Sequence, residues 1–126
     1  MFTVEKLVKS TRPRVPFEKI KNSVLGRRYS LSLVLCGNTL THKFNKQYRK
    51  KDKPTNVLSF PLEENEGEIF LNLPLIKKEA QELDQTVSAR TGYLFIHGLL
   101  HLKGYQHGST MEKEEEALLR RFGLRL

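Results

Sequence analysis

The sequence contains one cysteine, Cys36, no tryptophan, and no apolar run approaching the ~20 residues that a membrane-spanning helix needs. A single cysteine cannot form an intrachain disulfide, which excludes the small disulfide-stabilised class of secreted proteins. Residues 1–6 also lack the apolar core of a signal peptide. These absences predict a cytoplasmic protein that works in a reducing compartment and has no membrane partner.

The size and composition of the chain are typical of one folded domain. Its 126 residues are 38% hydrophobic and 29% charged, a balance that disordered segments do not have. No internal repeat, low-complexity segment or Gly/Ser linker divides the chain. We therefore expect a single domain over residues 1–126.

Positive charge is concentrated in the first part of the chain. Residues 1–54 carry 14 lysines and arginines against 3 acids, whereas residues 55–126 carry 8 against 11. A densely charged stretch, residues 49–54 (RKKDKP), is expected to be a loop, here called the basic loop. This asymmetry predicts a basic face that binds a polyanion such as RNA, with Lys50, Lys51 and Lys53 as candidate RNA contacts.

Apolar spacing and turn residues predict the element order β-α-β-α-β-β-α-α-α. The fold class is therefore α/β (α+β), with a small mixed sheet of about four strands packed with about five helices. Residues 86–102 are apolar around most of a helix, which predicts a central buried helix that Gly104 ends. Pro61 is expected to stop a strand over residues 57–60, and residues 109–112 (STME) have the form of a capping box.

Three of the four histidines fall within eleven residues, as His97, His101 and His107. The first two are four residues apart, so on a helix they share one face and could hold one metal ion. Gly104 allows the chain to turn back and add His107 as a third ligand. Three neutral imidazoles suit Zn²⁺ and leave a fourth position open, as in catalytic sites. The remaining histidine, His42, is expected to be exposed and without a partner.

A zinc peptidase is the obvious competing interpretation of paired histidines. In the motif His-Glu-x-x-His, the glutamate after the first ligand is the general base. Gly98 stands at that position here, so the carboxylate that would activate water is missing. Peptidase activity is therefore a minor alternative.

Residues 97–107 (HGLLHLKGYQH) resemble the signature of the YbeY family of bacterial zinc-dependent endoribonucleases, which is close to His-Gly-x-Leu-His-Leu-x-Gly-Tyr-Asp-His. Residues 45–61 (NKQYRKKDKPTNVLSFP) are similar to the family's Asn-x-x-x-Arg…Thr-Asp/Asn-Val-Leu-Ser-Phe-Pro block. Residues 67–69 and 78–81 resemble its Gly-Asp-Ile…Glu-Ala segment. The matches run in order from about residue 38 to 120.

The resemblance implies a zinc-dependent endoribonuclease that acts on single-stranded RNA, in maturation of the small-subunit ribosomal RNA and in ribosome quality control. The small ribosomal subunit is then a partner. By position, His97, His101 and His107 are implied as ligands of one Zn²⁺, and Arg49 matches the family's functional arginine near the phosphate. The family fold, a small sheet with several helices and a cleft over the metal, agrees with the predicted elements.

Two positions depart from the family pattern. Gln106 stands beside the third ligand where Asp is usual, and Glu68 replaces another Asp. Gln106 is expected to act on the ligands indirectly and to tune the rate without assembling the site. No residue stands out as a general base, so the nucleophile stays open between water activated by the ion and the RNA's own 2′-hydroxyl. The alternative function is a non-catalytic RNA- or ribosome-binding protein with a structural zinc.

Overall fold

The computed structural model describes all of residues 1–126 and contains the nine elements in the predicted order. Five helices and four strands in this order confirm the α/β fold class. None of the five helices combines the length and the apolar composition that a membrane crossing requires. The elements are β1 Phe2–Lys6, α1 Phe17–Leu25, β2 Ser30–Cys36, α2 Asn38–Arg49, β3 Val57–Glu63, β4 Glu66–Asn72, α3 Leu73–Glu82, α4 Val87–Lys103 and α5 Ser109–Arg121.

The four strands form one mixed sheet in the order β1-β2-β4-β3. Strands β1, β2 and β4 are parallel, and β3 pairs with β4 as an antiparallel hairpin. The parallel pairs need crossovers, which α1 supplies between β1 and β2. Strand β3 therefore lies at one edge of the sheet, beside the carboxyl end of α2.

The two faces of the sheet bury different residues because side chains alternate along each strand. On β2, Leu31, Leu33 and Leu35 join the main core, whereas Val34 and Cys36 join a smaller cluster on the opposite face. Nine of the 17 residues of α4 are buried, five of them in the main core, which confirms that this helix is central and buried. Helix α2 covers the smaller cluster. Helices α4 and α2 pack on opposite faces of the sheet, and both contact the edge strand β3.

Two local expectations are wrong. Strand β3 continues through Pro61 to Glu63, with Pro61 opposite Gly67 of β4. An edge strand tolerates proline because one side of its backbone has no strand to pair with. The capping box does not form, because α5 begins at Ser109 itself and Gly108 takes the capping position without a side chain.

Candidate metal centre

The three clustered histidines meet at the carboxyl end of α4. His97 and His101 lie one turn apart on the helix, and Gly104 ends it in the left-handed conformation with φ 107°. The chain then turns back and brings His107 to the other two rings. The ring centroids are 4.6 to 5.0 Å apart. One nitrogen of each ring lies within 4.8 Å of the others, so the three residues could hold a metal ion.

Hydrogen bonds to the outer nitrogens orient the first two rings. The Nδ1 of His97 donates to the Oε2 of Glu115 at 2.7 Å, and the Nδ1 of His101 donates to the Tyr105 carbonyl oxygen at 3.1 Å. In the neutral form of each ring this leaves Nε2 without a proton, and the two Nε2 atoms lie 3.1 Å apart. Tetrahedral Zn²⁺ with bonds near 2.0–2.1 Å would place its nitrogens roughly 3.3 Å apart. The donor set fits such an ion, since ligating histidines usually donate from the other nitrogen to a carboxylate or carbonyl.

Glu115 is the functional residue that the sequence reasoning missed. It belongs to α5 and is only 5% exposed, although carboxylates are seldom buried without a partner. Its side chain lies on the buried face of the helix with Met111, Leu118 and Leu119. A charged residue at a core-facing helical position was the signal in the sequence. Its partner could not be identified until α5 was placed against α4.

The environment of His101 favours the neutral ring that a metal requires. Burial lowers the pKa of His101 below its usual range, and the neighbouring His97 and His107 lower it further. The Tyr105 carbonyl and Glu115 act in the opposite direction without reversing the shift. His101 is thus available as a neutral ligand at a lower pH than an exposed histidine would be.

A cavity of about 550 Å³, here called the cleft, opens over the histidines. Arg49, the last residue of α2, lies on its opposite side and forms no ion pair with an acid. The cleft has no aspartate or glutamate in its lining, so its fixed charge is positive. The structure therefore brings Arg49 and the predicted metal ligands into one cleft. The lining residues are Tyr48, Arg49, Thr55, Asn56, Val57, Leu58, Ser59, Phe60, His97, Gly98, His101 and His107.

A buried polar network fixes the backbone after Arg49. The Nδ2 of Asn45 donates to the Lys53 carbonyl oxygen at 2.8 Å. The Nδ2 of Asn72 donates to the Thr55 carbonyl oxygen at 3.3 Å and to the Thr41 hydroxyl at 3.1 Å. The side chains that supply these groups, Thr41, Asn45 and Asn72, are all buried. The chain after Arg49 is thereby attached to α2 and β4, although the lysines of the basic loop are exposed.

Four other candidate residues lie outside the cleft lining. Lys50, Lys51 and Lys53 are exposed on the basic loop, next to Arg49 in the chain. Gln106 is exposed and makes no side-chain hydrogen bond to the histidines, and the outer nitrogens of His97 and His101 use Glu115 and a carbonyl oxygen instead. Their roles in RNA binding and in tuning the rate stay predictions.

The expectation that His42 has no partner is wrong. Its Nε2 lies 2.6 Å from the Oδ1 of Asp52, and Lys46 approaches the same carboxylate at 3.9 Å. The hydrogen bond from His42 and the charge of Lys46 lower the pKa of Asp52. His42 and Asp52 are ten residues apart, and the turn after α2 brings them together. The pair tethers the basic loop to α2 and lies outside the cleft.

Comparison with known proteins identifies relatives over most of the chain. The family model described as "Endoribonuclease YbeY" matches residues 3–123. Endoribonuclease YbeY of Ehrlichia ruminantium (strain Gardel) is 42% identical over 105 residues, which cover 75% of this chain and 67% of the relative. Endoribonuclease YbeY of Colwellia psychrerythraea is 38% identical over 108 residues, covering 76% and 70%. The matched part thus spans about two thirds of these relatives.

A solved structure shows the same fold. The solution structure of a Thermotoga maritima protein superposes with a TM-score of 0.71 at 24% sequence identity. The superposition covers 97% of this chain and 89% of that one. The arrangement of sheet and helices described above is therefore one that occurs in an experimentally determined structure.

Proposed function

The chain belongs to the YbeY endoribonuclease family, and from that membership we propose that it is a zinc-dependent endoribonuclease that cleaves single-stranded RNA. Its substrate is the RNA of the small ribosomal subunit, which it processes during maturation and in ribosome quality control in the cytoplasm. The observation that carries the proposal is the meeting of three convergent histidines and an arginine without an acidic partner in one cleft.

The metal is held by His97, His101 and His107. Support comes from the two inner Nε2 atoms at 3.1 Å and from the hydrogen bonds that keep the outer nitrogens occupied. When bound, the ion supplies Lewis-acid stabilisation of negative charge on the phosphoryl group and activation of a water molecule. Glu115 and the Tyr105 carbonyl hold the rings in the orientation that makes this possible.

Arg49 binds the phosphate group of the phosphodiester bond that is cleaved. A guanidinium can donate two parallel hydrogen bonds to phosphate oxygens, and no carboxylate in the cleft competes for it. Its charge stabilises the extra negative charge that develops at phosphorus in the transition state. The absence of acids from the cleft lining also lowers the electrostatic cost of bringing in a polyanion.

The test is cleavage of a labelled single-stranded RNA by the zinc-loaded protein, with and without a chelator. Cleavage is expected for the wild type and is expected to be lost after chelation and in His101→Ala. A small-subunit precursor RNA and an unrelated single strand of equal length, run in parallel, test the assignment to ribosomal RNA. RNA binding without metal-dependent cleavage would contradict the proposal and favour the non-catalytic RNA-binding protein with a structural zinc.

A further inference from the structure

Four aromatic side chains form a continuous series from the smaller core cluster to the mouth of the cleft. Phe70 is buried at 7% exposure, and its ring centroid lies 5.2 Å from Phe44 and 5.8 Å from Phe60. Tyr48 ends the series, 5.2 Å from Phe60 and 6.0 Å from Phe44. The four residues are here called the aromatic wall.

Only the last ring of the aromatic wall is largely open to solvent. Tyr48 is 59% exposed even though it packs on Phe44 and Phe60, so much of this residue stays accessible to a ligand. Both Tyr48 and Phe60 line the cleft that contains the three histidines. Because Tyr48 packs against Phe44 and Phe60, the orientation of its ring is restricted before any ligand binds. This restriction reduces the entropy lost on binding.

We propose that Tyr48, supported by Phe60, is a stacking platform for one unpaired base of the RNA bound in the cleft. The proposal rests on the proposed function, because it needs RNA with its phosphate at Arg49. Tyr48 and Arg49 end α2 and both line the cleft, so one can meet a base while the other meets a neighbouring phosphate. This is the combination of ring and cation by which proteins bind single strands.

The charges around the aromatic wall favour nucleic acid as the occupant. Arg49, Lys50, Lys51 and Lys53 follow Tyr48 directly, and Asp52 is the one acid among them, already paired with His42. Every nucleobase presents a flat π-face, so the platform accepts any base and imposes no sequence of its own. Bases inside a duplex are covered by their neighbours and cannot reach the ring. Stacking on Tyr48 would therefore make the cleft select unpaired RNA.

The experiment uses the zinc-loaded full chain and a short 2′-O-methyl RNA carrying 2-aminopurine, whose fluorescence falls when the base stacks on an aromatic ring. The variants are Tyr48→Ala, Tyr48→Leu, which keeps an apolar side chain without a ring, and Tyr48→Phe, which keeps the ring. Leu83→Ala is the control, since Leu83 is 51% exposed on the far end of α3, outside the cleft. Cleavage of unmodified RNA by each protein is measured separately.

The wild type, Tyr48→Phe and Leu83→Ala are expected to quench the probe and to bind it equally. Tyr48→Ala and Tyr48→Leu are expected to lose the quenching and to bind roughly 5- to 100-fold more weakly. An RNA backbone of the same length that is abasic at every position should remove the difference between wild type and Tyr48→Ala, because no base is then left to stack. Equal binding and quenching by wild type and Tyr48→Ala would overturn the platform, even if the RNA is cleaved. Loss of quenching in Tyr48→Ala would support it even if the wild type does not cleave, so the two proposals fail separately.

Discussion

The two sides of the cleft hold their functional side chains in different ways. On the histidine side, the rings of His97 and His101 are part-buried and each outer nitrogen has a hydrogen-bond partner. On the arginine side, Arg49 is exposed and forms no ion pair. The difference fits two tasks, because an ion needs ligands fixed to within tenths of an ångström, whereas a phosphate chain needs accessible positive charge.

The backbone does not share this difference, since both sides are attached to the core. His97 and His101 extend from α4, whose buried face lies in the main core, and His107 follows the turn at Gly104. Arg49 ends a helix, and the chain that follows it is held by Asn45 and Asn72. The contrast lies in the side chains alone. We therefore expect substitutions on the histidine side to remove the ion and substitutions on the arginine side to leave the ion bound but slow the reaction.

Removing two ligands should have the largest effect. The double variant His97→Ala/His101→Ala is expected to lose its zinc almost completely and its cleavage activity with it, because one histidine cannot hold the ion. Elemental analysis after zinc-replete purification measures the metal. The wild type should also release zinc below about pH 6, since protonated rings cannot bind it.

The matched control is His42→Ala, which removes a histidine outside the cleft. It should keep one zinc per chain. Retention of zinc by the double variant, or its loss from His42→Ala, would show that the ion binds elsewhere.

The contrast between the two sides also explains what the sequence could predict. The predicted metal ligands are close in the chain, so helical periodicity and one glycine were enough to bring His97, His101 and His107 together. Arg49 could be singled out only by resemblance to a family, because nothing local separates it from the other cations of the basic loop. The order of strands and helices followed from periodicity, which depends on nearby residues.

What the sequence did not predict depends on contacts between distant segments. Glu115 meets His97 across 18 residues and His42 meets Asp52 across 10, and both pairs need packed elements before they exist. The continuation of β3 through Pro61 depends on that strand being at the edge of the sheet. Local rules cannot supply such facts.

The second-largest effect is expected for substitutions of Arg49, on the arginine side of the cleft. Arg49→Ala should keep one zinc per chain and lower the single-turnover cleavage rate by roughly 10²- to 10³-fold, as removal of one transition-state donor does elsewhere. Arg49→Lys keeps the charge without the planar pair of donors, and we expect it to recover only part of the rate. Full activity in Arg49→Ala would show that Arg49 has no part in cleavage.

The third effect returns to the histidine side, through Glu115. Glu115→Ala removes the acceptor of the His97 Nδ1 proton and should weaken zinc binding by about 10- to 100-fold, measured by competition with a chelator. Glu115→Gln keeps a neutral acceptor and should weaken it less. The exposed neighbour Glu116→Ala serves as the control and should bind zinc as the wild type does. If Glu115→Ala binds zinc normally, the histidine side does not depend on this hydrogen bond.

The fourth effect concerns the exposed cations of the arginine side. Changing Lys50, Lys51 and Lys53 to alanine should lower the slope of log Kd against log salt by about 1, and weaken RNA binding about tenfold near 0.1 M salt. The expected loss of RNA affinity is smaller than the loss of three full phosphate contacts would cause, because exposed lysines do not all contact phosphates at the same time. A control triple of exposed lysines that lie outside both the cleft lining and the basic loop, Lys9→Ala/Lys77→Ala/Lys78→Ala, changes the net charge equally. An equal loss in both triples would mean that only net charge matters.

The smallest effect is expected at Gln106, an exposed residue that directly precedes His107 in the chain. Gln106→Asp adds a negative charge and a group that can accept a proton, which an amide cannot do at neutral pH. A well-placed acid–base group is worth about 10²- to 10⁴-fold. This side chain is exposed and makes no hydrogen bond to the three rings, so a rise in the cleavage rate of only several-fold is expected. Zinc content should be unchanged, because the ligands are complete without it.

Gln106→Asn shortens the side chain without adding charge and should leave the rate unchanged. Metal content and single-turnover rate are measured side by side for all three proteins. Equal rates would show that this position has no part in the reaction, whereas zinc retained by the Asp variant alone would show that three histidines do not suffice.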